Sequence, residues 1–170
     1  VNHGTISSDS YAFYGAGLAL ETIINTGIIN GNISLGGANG NSFDSSLGLV
    51  FVSISGGNGS NTLIGGRNDN SLYGYDGSDV IRGGAGNDFI KGGNANDQIF
   101  GDDGGDSFLI YNTEGNDSVD GGAGVDYLDF DRSGSSLGLT FSISDSTLPQ
   151  AAGDGTTIVN IERLTFNGGS

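Results

Sequence analysis

From Gly56 the chain falls into nine-residue units: GGNGSNTLI, GGRNDNSLY, GYDGSDVIR, GGAGNDFIK, GGNANDQIF and GDDGGDSFL, then Ile110 and Tyr111, then NTEGNDSVD and GGAGVDYLD, ending at Asp129. A fixed short period constrains a chain more than its composition does. Each unit builds the same local shape, and identical shapes stack into a one-dimensional coil in which each turn touches only its neighbours. The eighth position reads Leu63, Leu72, Ile81, Ile90, Ile99, Phe108, Val119 and Leu128, apolar each time. One inward side chain per short strand is what a narrow two-sided coil can bury. The glycine-rich first half of each unit allows positive φ and a tight turn. The sixth position reads Asn61, Asn70, Asp79, Asp88, Asp97, Asp106, Asp117 and Asp126, a carboxylate or amide closing every loop.

Two units make one turn of about 18 residues, so alternate loops stack on the same side. One column then holds Asn61, Asp79, Asp97 and Asp117, and the other Asn70, Asp88, Asp106 and Asp126. Carboxylates stacked at the roughly 4.8 Å spacing of paired strands repel one another unless a cation lies between them. Calcium suits such a column, because it takes about 6–8 oxygens and accepts carboxylates and backbone carbonyls together. The fold class expected from the repeat itself is all-β, a solenoid of stacked turns with calcium between glycine-rich loops.

The units resemble the RTX (repeats-in-toxin, haemolysin-type) nonapeptide G-G-x-G-x-D-x-U-x, with U a large apolar residue. The resemblance implies a parallel β-roll in which each calcium sits between two stacked loops. Each loop then gives its sixth-position carboxylate and carbonyls from its first four positions. Carried onto this chain, the pairs are Asp79/Asp97 and Asp97/Asp117 in one column, and Asp88/Asp106 and Asp106/Asp126 in the other. The carbonyls come from Gly83, Gly84, Ala85 and Gly86, from Gly92, Gly93, Asn94 and Ala95, and from Gly101, Asp102, Asp103 and Gly104. Asn61 and Asn70 depart from the pattern; an amide oxygen ligates without charge, so sites pairing them with Asp79 and Asp88 are expected to be weaker or empty. Asn68 and Ala95 replace the fourth glycine, Tyr75, Asp102 and Thr113 the second, and Asn112 the first, directly after the two-residue insertion. Asp117 stacked on Asp97 is therefore the least secure pairing. Asp76 and Asp103, at third positions, either add negative field near their loops or are solvated.

Three sections follow: solenoid-like, metal-poor strands over 1–55, the repeat over 56–129, and capping strands over 130–170. In the first, Gly36–Asp44 reads as one more unit, with Asn41 at the metal position and Phe43 at the core position. Thr22–Ile33 reads as short strands broken by Asn and Gly turns. The one helical candidate is Tyr11–Leu20. The segment SSLGL occurs at 45–49 and at 135–139, leading into strand-like runs at 49–55 and 139–144. Thr156–Phe166 resembles the segment that follows such repeats and is expected to cap the last turn.

Composition excludes several functions. Twenty acids against five Lys and Arg, a net charge of −15, leave nothing to neutralise a nucleic-acid backbone. No apolar run approaches a membrane span, and without cysteine there is no disulfide, thiol or zinc–thiolate chemistry. His3, the only histidine, lies near the terminus, which argues against a Ser-His-Asp triad. The repeat accounts for most regularly spaced acids, so a glycosidase pair is disfavoured, and no catalytic residue is assigned. Tyr73, Phe89, Phe100 and Tyr127 fall at outward positions. The chain opens at Val1 and ends in Gly168-Gly169-Ser170, and reads as a piece of a longer protein.

The resemblance implies a non-catalytic calcium-binding module of a larger bacterial protein, secreted by a type I channel and located outside a Gram-negative cell or on its surface. Its partners are then calcium ions and other domains of the parent chain. A polysaccharide-binding module attached to a carbohydrate-active enzyme, or an adhesin segment, are the alternatives. Residues 56–129 carry 13 acids against 3 bases, so repulsion opposes compaction until a cation arrives, and metal binding energy becomes folding energy.

Overall fold

Each repeat strand begins directly after a loop-closing sixth residue and runs for three to six residues, mostly into the start of the next unit, before a turn sends the chain across to the opposite sheet. The computed structural model describes residues 1–15, 21–37, 40–111, 115–132, 150–151 and 155–168, and they form strands and turns. One sheet runs through β1 (Thr5–Tyr14), β3 (Ile28–Ser34), β6 (Ser53–Asn58), β8 (Ser71–Asp76), β10 (Phe89–Asn94), β12 (Ser107–Tyr111), β14 (Tyr127–Arg132) and β17 (Arg163–Gly168), with β5 (Leu49–Val50) also on β3. The other runs through β2 (Thr22–Ile24), β4 (Ser42–Asp44), β7 (Thr62–Gly66), β9 (Val80–Ala85), β11 (Gln98–Asp103), β13 (Ser118–Asp120), β16 (Thr157–Val159) and β15 (Gln150–Ala151). Through the repeat, successive strands alternate between sheets, and each pairs in parallel with the strand one turn on. Among the described residues only β15, antiparallel to β16, is not parallel to its partner. The result is a parallel β-solenoid.

The core is two rows of stacked side chains. Ile33, Ile54, Leu72, Ile90, Phe108, Leu128 and Leu164 are register partners in turn along one sheet. Ile23, Phe43, Leu63, Ile81, Ile99, Val119 and Ile158 are partners along the other. All eight eighth-position residues are buried, at 0–1% exposure. Alternation along each strand puts the seventh and ninth residues outside. The sheets continue without a break through residues 55/56 and 129/130, inside or beside β6 and β14. Phe43 is buried as the upstream unit required, and Ile158 and Leu164 extend the rows past the repeat.

The inserted Ile110 and Tyr111 are the last two residues of β12, standing where other strands run into the glycine start of the next unit. Ile110 is buried opposite Phe130 of β14, and Tyr111 pairs with Asp131. One inward residue has been added to two adjacent turns, so the register beyond them holds.

Two expectations are corrected. Tyr11–Tyr14, the first residues of the helical candidate, are the end of β1 and pair with β3; residues 16–20 lie outside the described residues. The 49–55 run is two strands, β5 and β6, not one. At Val50 the next turn answers with side chains: Asn68 Oδ1 accepts the Val50 N–H, and the Asn68 and Asn70 amides donate to the Val50 carbonyl. These side chains take the place of a strand of the following turn beside β5. The second SSLGL and the run after it, 135–144, lie outside the described residues. No described helix is long and apolar enough to cross a membrane.

Candidate metal centre

Each sixth residue ends a loop and stands immediately before a strand, so strand register stacks these residues. Their backbone N–H groups face the following turn, where the next carboxylate answers. Asn61 N–H donates to Asp79 Oδ1 (2.6 Å), Asp79 N–H to Asp97 Oδ1 (2.8 Å) and Asp97 N–H to Asp117 Oδ1 (3.0 Å). In the second column Asn70 donates to Asp88 (2.7 Å), Asp88 to Asp106 (2.8 Å) and Asp106 to Asp126 (2.8 Å). The structure thus brings all eight predicted residues into two ladders. Asp117 on Asp97, the pairing the insertion threatened, is made like the others.

Every one of these side chains is at most 4% exposed. At Asp79, Asp88, Asp106 and Asp126 the second oxygen, Oδ2, is buried with no hydrogen-bond partner. A buried carboxylate oxygen left so is costly unless something positive meets it. The space beside it is kept open by the first glycine of the unit. A Cβ on Gly83 would lie 2.3 Å from Asp88 Oδ2 and 2.7 Å from the Gly101 carbonyl of the following turn. A Cβ on Gly74 would meet Asp79 Oδ2 at 2.2 Å and the Gly92 carbonyl at 2.3 Å. Carboxylate and carbonyl oxygens therefore border one small gap per stacked pair, a donor set suited to a hard cation. Among the described residues no three acids or histidines converge, so a cation here draws on carboxylate pairs and backbone oxygens.

Burial is the main reason these acids hold protons: it pushes Asp79 up to about 6, Asp88 to about 7 and Asp106 to about 6, from 3.8. Asp126 is raised for the same reason, with Glu162 and Asp120 adding repulsion. The accepted N–H bonds lower these values only in part. The metal-free fold binds more protons than the unfolded chain in this window. Its stability is therefore present below pH 4 and lost as pH rises through 6–7. In a chelator, a folded chain with a thermal midpoint is expected at pH 5 and a coil-like chain by pH 8, while calcium affinity rises over the same interval. Melting curves that coincide at the two pH values would contradict this.

The two asparagines differ. The Asn61 amide nitrogen donates to the Gly59 carbonyl at 2.6 Å and to Gly57 at 3.4 Å, while its oxygen accepts the Asn41 N–H. Asn41 repeats this one turn earlier, donating to Gly36 O (2.7 Å) and accepting from Glu21. An N–H there takes up loop carbonyls with no metal. Asn70 instead gives its N–H to Val50, leaving Oδ1 buried, unpartnered and facing Gly65 as the aspartates face their glycines.

Of the loop carbonyls, those of Gly83, Gly92 and Gly101 face the gaps. Those of Asn94, Asp102 and Asp103 accept N–H bonds from neighbouring loops. The carbonyls of Gly86, Ala95 and Gly104 approach the fourth-position glycine of the next turn. Gly84 and Gly93 pack on the second residue of the preceding turn, and Ala85 ends β9. The non-glycine substitutes Tyr75, Ala95 and Asp102 keep the left-handed backbone, at φ 79°, 79° and 73°; Asp102 is paired with Arg82 at 2.6 Å. Asp76 accepts from Asn94 at the surface.

Outside the roll wall, Tyr73 packs on Phe89 and Tyr75 at 5.9 and 6.2 Å, Arg82 lies over Phe100 and Lys91 over Tyr111. His3 is exposed and bonded to Thr26.

The family model for the RTX calcium-binding nonapeptide repeat (4 copies) matches residues 55–90, 73–108 and 113–133. These units are RTX calcium-binding repeats. RTX repeats bind calcium, and they are a structural calcium-binding family, not a catalytic one. In a comparison with curated proteins no relative matches the chain. The matched RTX span contains Asp79 through Asp126 and stops short of two groups the sequence did not mark. Thr156 Oγ1 accepts the Asp117 N–H at 3.2 Å, and Glu162 Oε2 accepts the Asp126 N–H at 2.8 Å, each at the end of one column.

Proposed function

We propose that this RTX β-roll is a calcium-triggered folding module of a larger secreted bacterial protein. The carboxylate pairs Asp79/Asp97, Asp97/Asp117, Asp88/Asp106 and Asp106/Asp126 would hold the ions, helped by loop carbonyls. The buried, unpartnered Oδ2 atoms of Asp79, Asp88, Asp106 and Asp126 carry the reading. Calcium supplies positive charge between stacked carboxylates. The chain supplies rigid placement: strand register stacks the acids, and the absent glycine side chains leave the gaps. Asn70, with its free amide oxygen, supports a weaker site with Asp88, whereas Asn61 is satisfied by its own loop.

RTX repeats are typical of secreted bacterial proteins. A chain held open by its own acids where calcium is scarce would pass a type I channel unfolded and close outside, forming a scaffold for the rest of its parent. Native mass spectrometry tests the metal assignment. The chain is expected to take up several calcium ions and no comparable set of magnesium ions; a chain that takes up none overturns it.

A second reading has one observation in its favour. Tyr73, Tyr75 and Lys91 border a cleft with Asp76 and Asn94, which suits a sugar ring stacked on an aromatic face. Calorimetry with oligosaccharides should then show binding that Tyr75→Ala removes, and heat that is unchanged by the substitution would rule the cleft out.

A further inference from the structure

The two carboxylate columns end differently. In the first, the group facing Asp117 is the Thr156 hydroxyl, which carries no charge. In the second it is Glu162. Register partners Tyr127↔Arg163 and Leu128↔Leu164 place Glu162 where the next sixth-position aspartate would stand. The Asp126 N–H donates to Glu162 Oε2 at 2.8 Å, the bond that Asp106 makes to Asp126 one turn earlier. From the inward Ile158 to the next inward residue, Leu164, the chain takes six residues where a repeat unit takes nine. A glutamate, one methylene longer than aspartate, compensates for the shorter span.

The gap beside Asp126 is built as in the repeats. A Cβ on Gly121 would lie 1.9 Å from the Asn160 carbonyl oxygen and 2.7 Å from Asp126 Oδ2, so the two oxygens border one space. Asn160 turns its backbone at φ 53°, and its side chain donates to Asp120 Oδ1 at 2.8 Å, fixing the short loop. Asp126 is fully buried, and its Oδ2 has no hydrogen-bond partner.

We propose that Asp126, Glu162 and the Asn160 carbonyl form a terminal calcium site, one beyond the repeat pairs, that fastens the last turn to the roll. The site has two carboxylates and a backbone oxygen, the chemistry of the repeat gaps. The Thr156 end, with one carboxylate, lacks the charge for it. This inference rests on the reading that stacked carboxylates hold calcium.

The test is native mass spectrometry of the whole chain with calcium, comparing wild type with Glu162→Gln, which keeps an oxygen to accept the Asp126 N–H. The variant is expected to bind one calcium fewer per chain and to reach the wild-type circular dichroism spectrum at saturating calcium. An equal count at equal calcium overturns the terminal site and leaves the repeat sites standing. A wild type that binds no calcium overturns the wider reading and this one with it. A variant that fails to reach the β spectrum at any calcium concentration also overturns it, because Glu162 would then be a structural brace and not one ligand among several.

Discussion

Calcium added to the chelated chain at neutral pH is expected to convert a coil-like far-UV circular dichroism spectrum into a β spectrum, with a midpoint at roughly 10⁻⁴–10⁻³ M, the range of extracellular modules. Magnesium at the same concentrations should leave it coil-like. The reason is charge placement. Residues 56–129 carry 13 acids against 3 bases, and six of those acids are buried in two columns. Without a cation the fold must either ionise them out of water or protonate them, and at neutral pH both are unfavourable. Magnesium demands near-octahedral geometry and gives up water reluctantly, so it fits loop carbonyls poorly. Asp106 borders two pairs, with Asp88 and with Asp126. Asp106→Asn should therefore raise the calcium midpoint about tenfold or more, since about 1.4 kcal/mol of lost binding already corresponds to a factor of ten. A chain fully β-structured in EDTA and indifferent to calcium would sink the folding switch.

Gly104→Ala should destabilise the calcium-loaded roll by about 2–6 kcal/mol, combining backbone strain of about 1–3 kcal/mol with a packing clash of about 1–3 kcal/mol. Gly104 adopts φ +146°, and a Cβ there would stand 1.7 Å from the Gly86 carbonyl oxygen of the preceding turn. That oxygen is backbone and cannot swing aside, so relief requires the two turns to separate. Gly105→Ala is the companion measurement. Its Cβ would meet Asn87 Oδ1 at 3.2 Å and the Val125 carbonyl at 3.3 Å, contacts that a surface side chain and a small shift can accommodate. Its cost should stay under about 1 kcal/mol. Urea unfolding at saturating calcium separates the two, and equal midpoints for both variants would show that turn-to-turn approach at the fourth position does not limit stability.

The sequence made the roll legible because a side chain recurring every nine residues has one structural explanation when its neighbours are glycines. The eighth-position row and the sixth-position columns could both be written down from the letters. Glu162 and Thr156 could not, since the loop before Glu162 is three residues short and Thr156 follows a long non-repeating stretch, so neither keeps the period. Only strand register reveals them. Asn61 and Asn70 are the same letter at the same position, yet one meets glycine carbonyls of its own loop and the other the Val50 carbonyl, a difference set by what lies one turn upstream. The 49–55 run shows the same limit. Its alternation favours a strand throughout, but Phe51 and Val52 stand between β5 and β6, outside both.

The inward pair of Ile110 on β12 and Phe130 on β14 also sets a rule of parity for the whole molecule. Ile110 has its inward partner in Phe130 because both strands lie on the same sheet, two units apart. A pair of units removed from the middle of the roll would bring every later strand back to its own wall. A single unit removed would carry Thr156 and Glu162 to the opposite walls. The repeats themselves are indifferent to which wall they occupy; the irregular flanks are not. Lineages of this chain can therefore be expected to change length by eighteen residues at a time, with the non-repeating ends acting as the phase marker that the repeats lack.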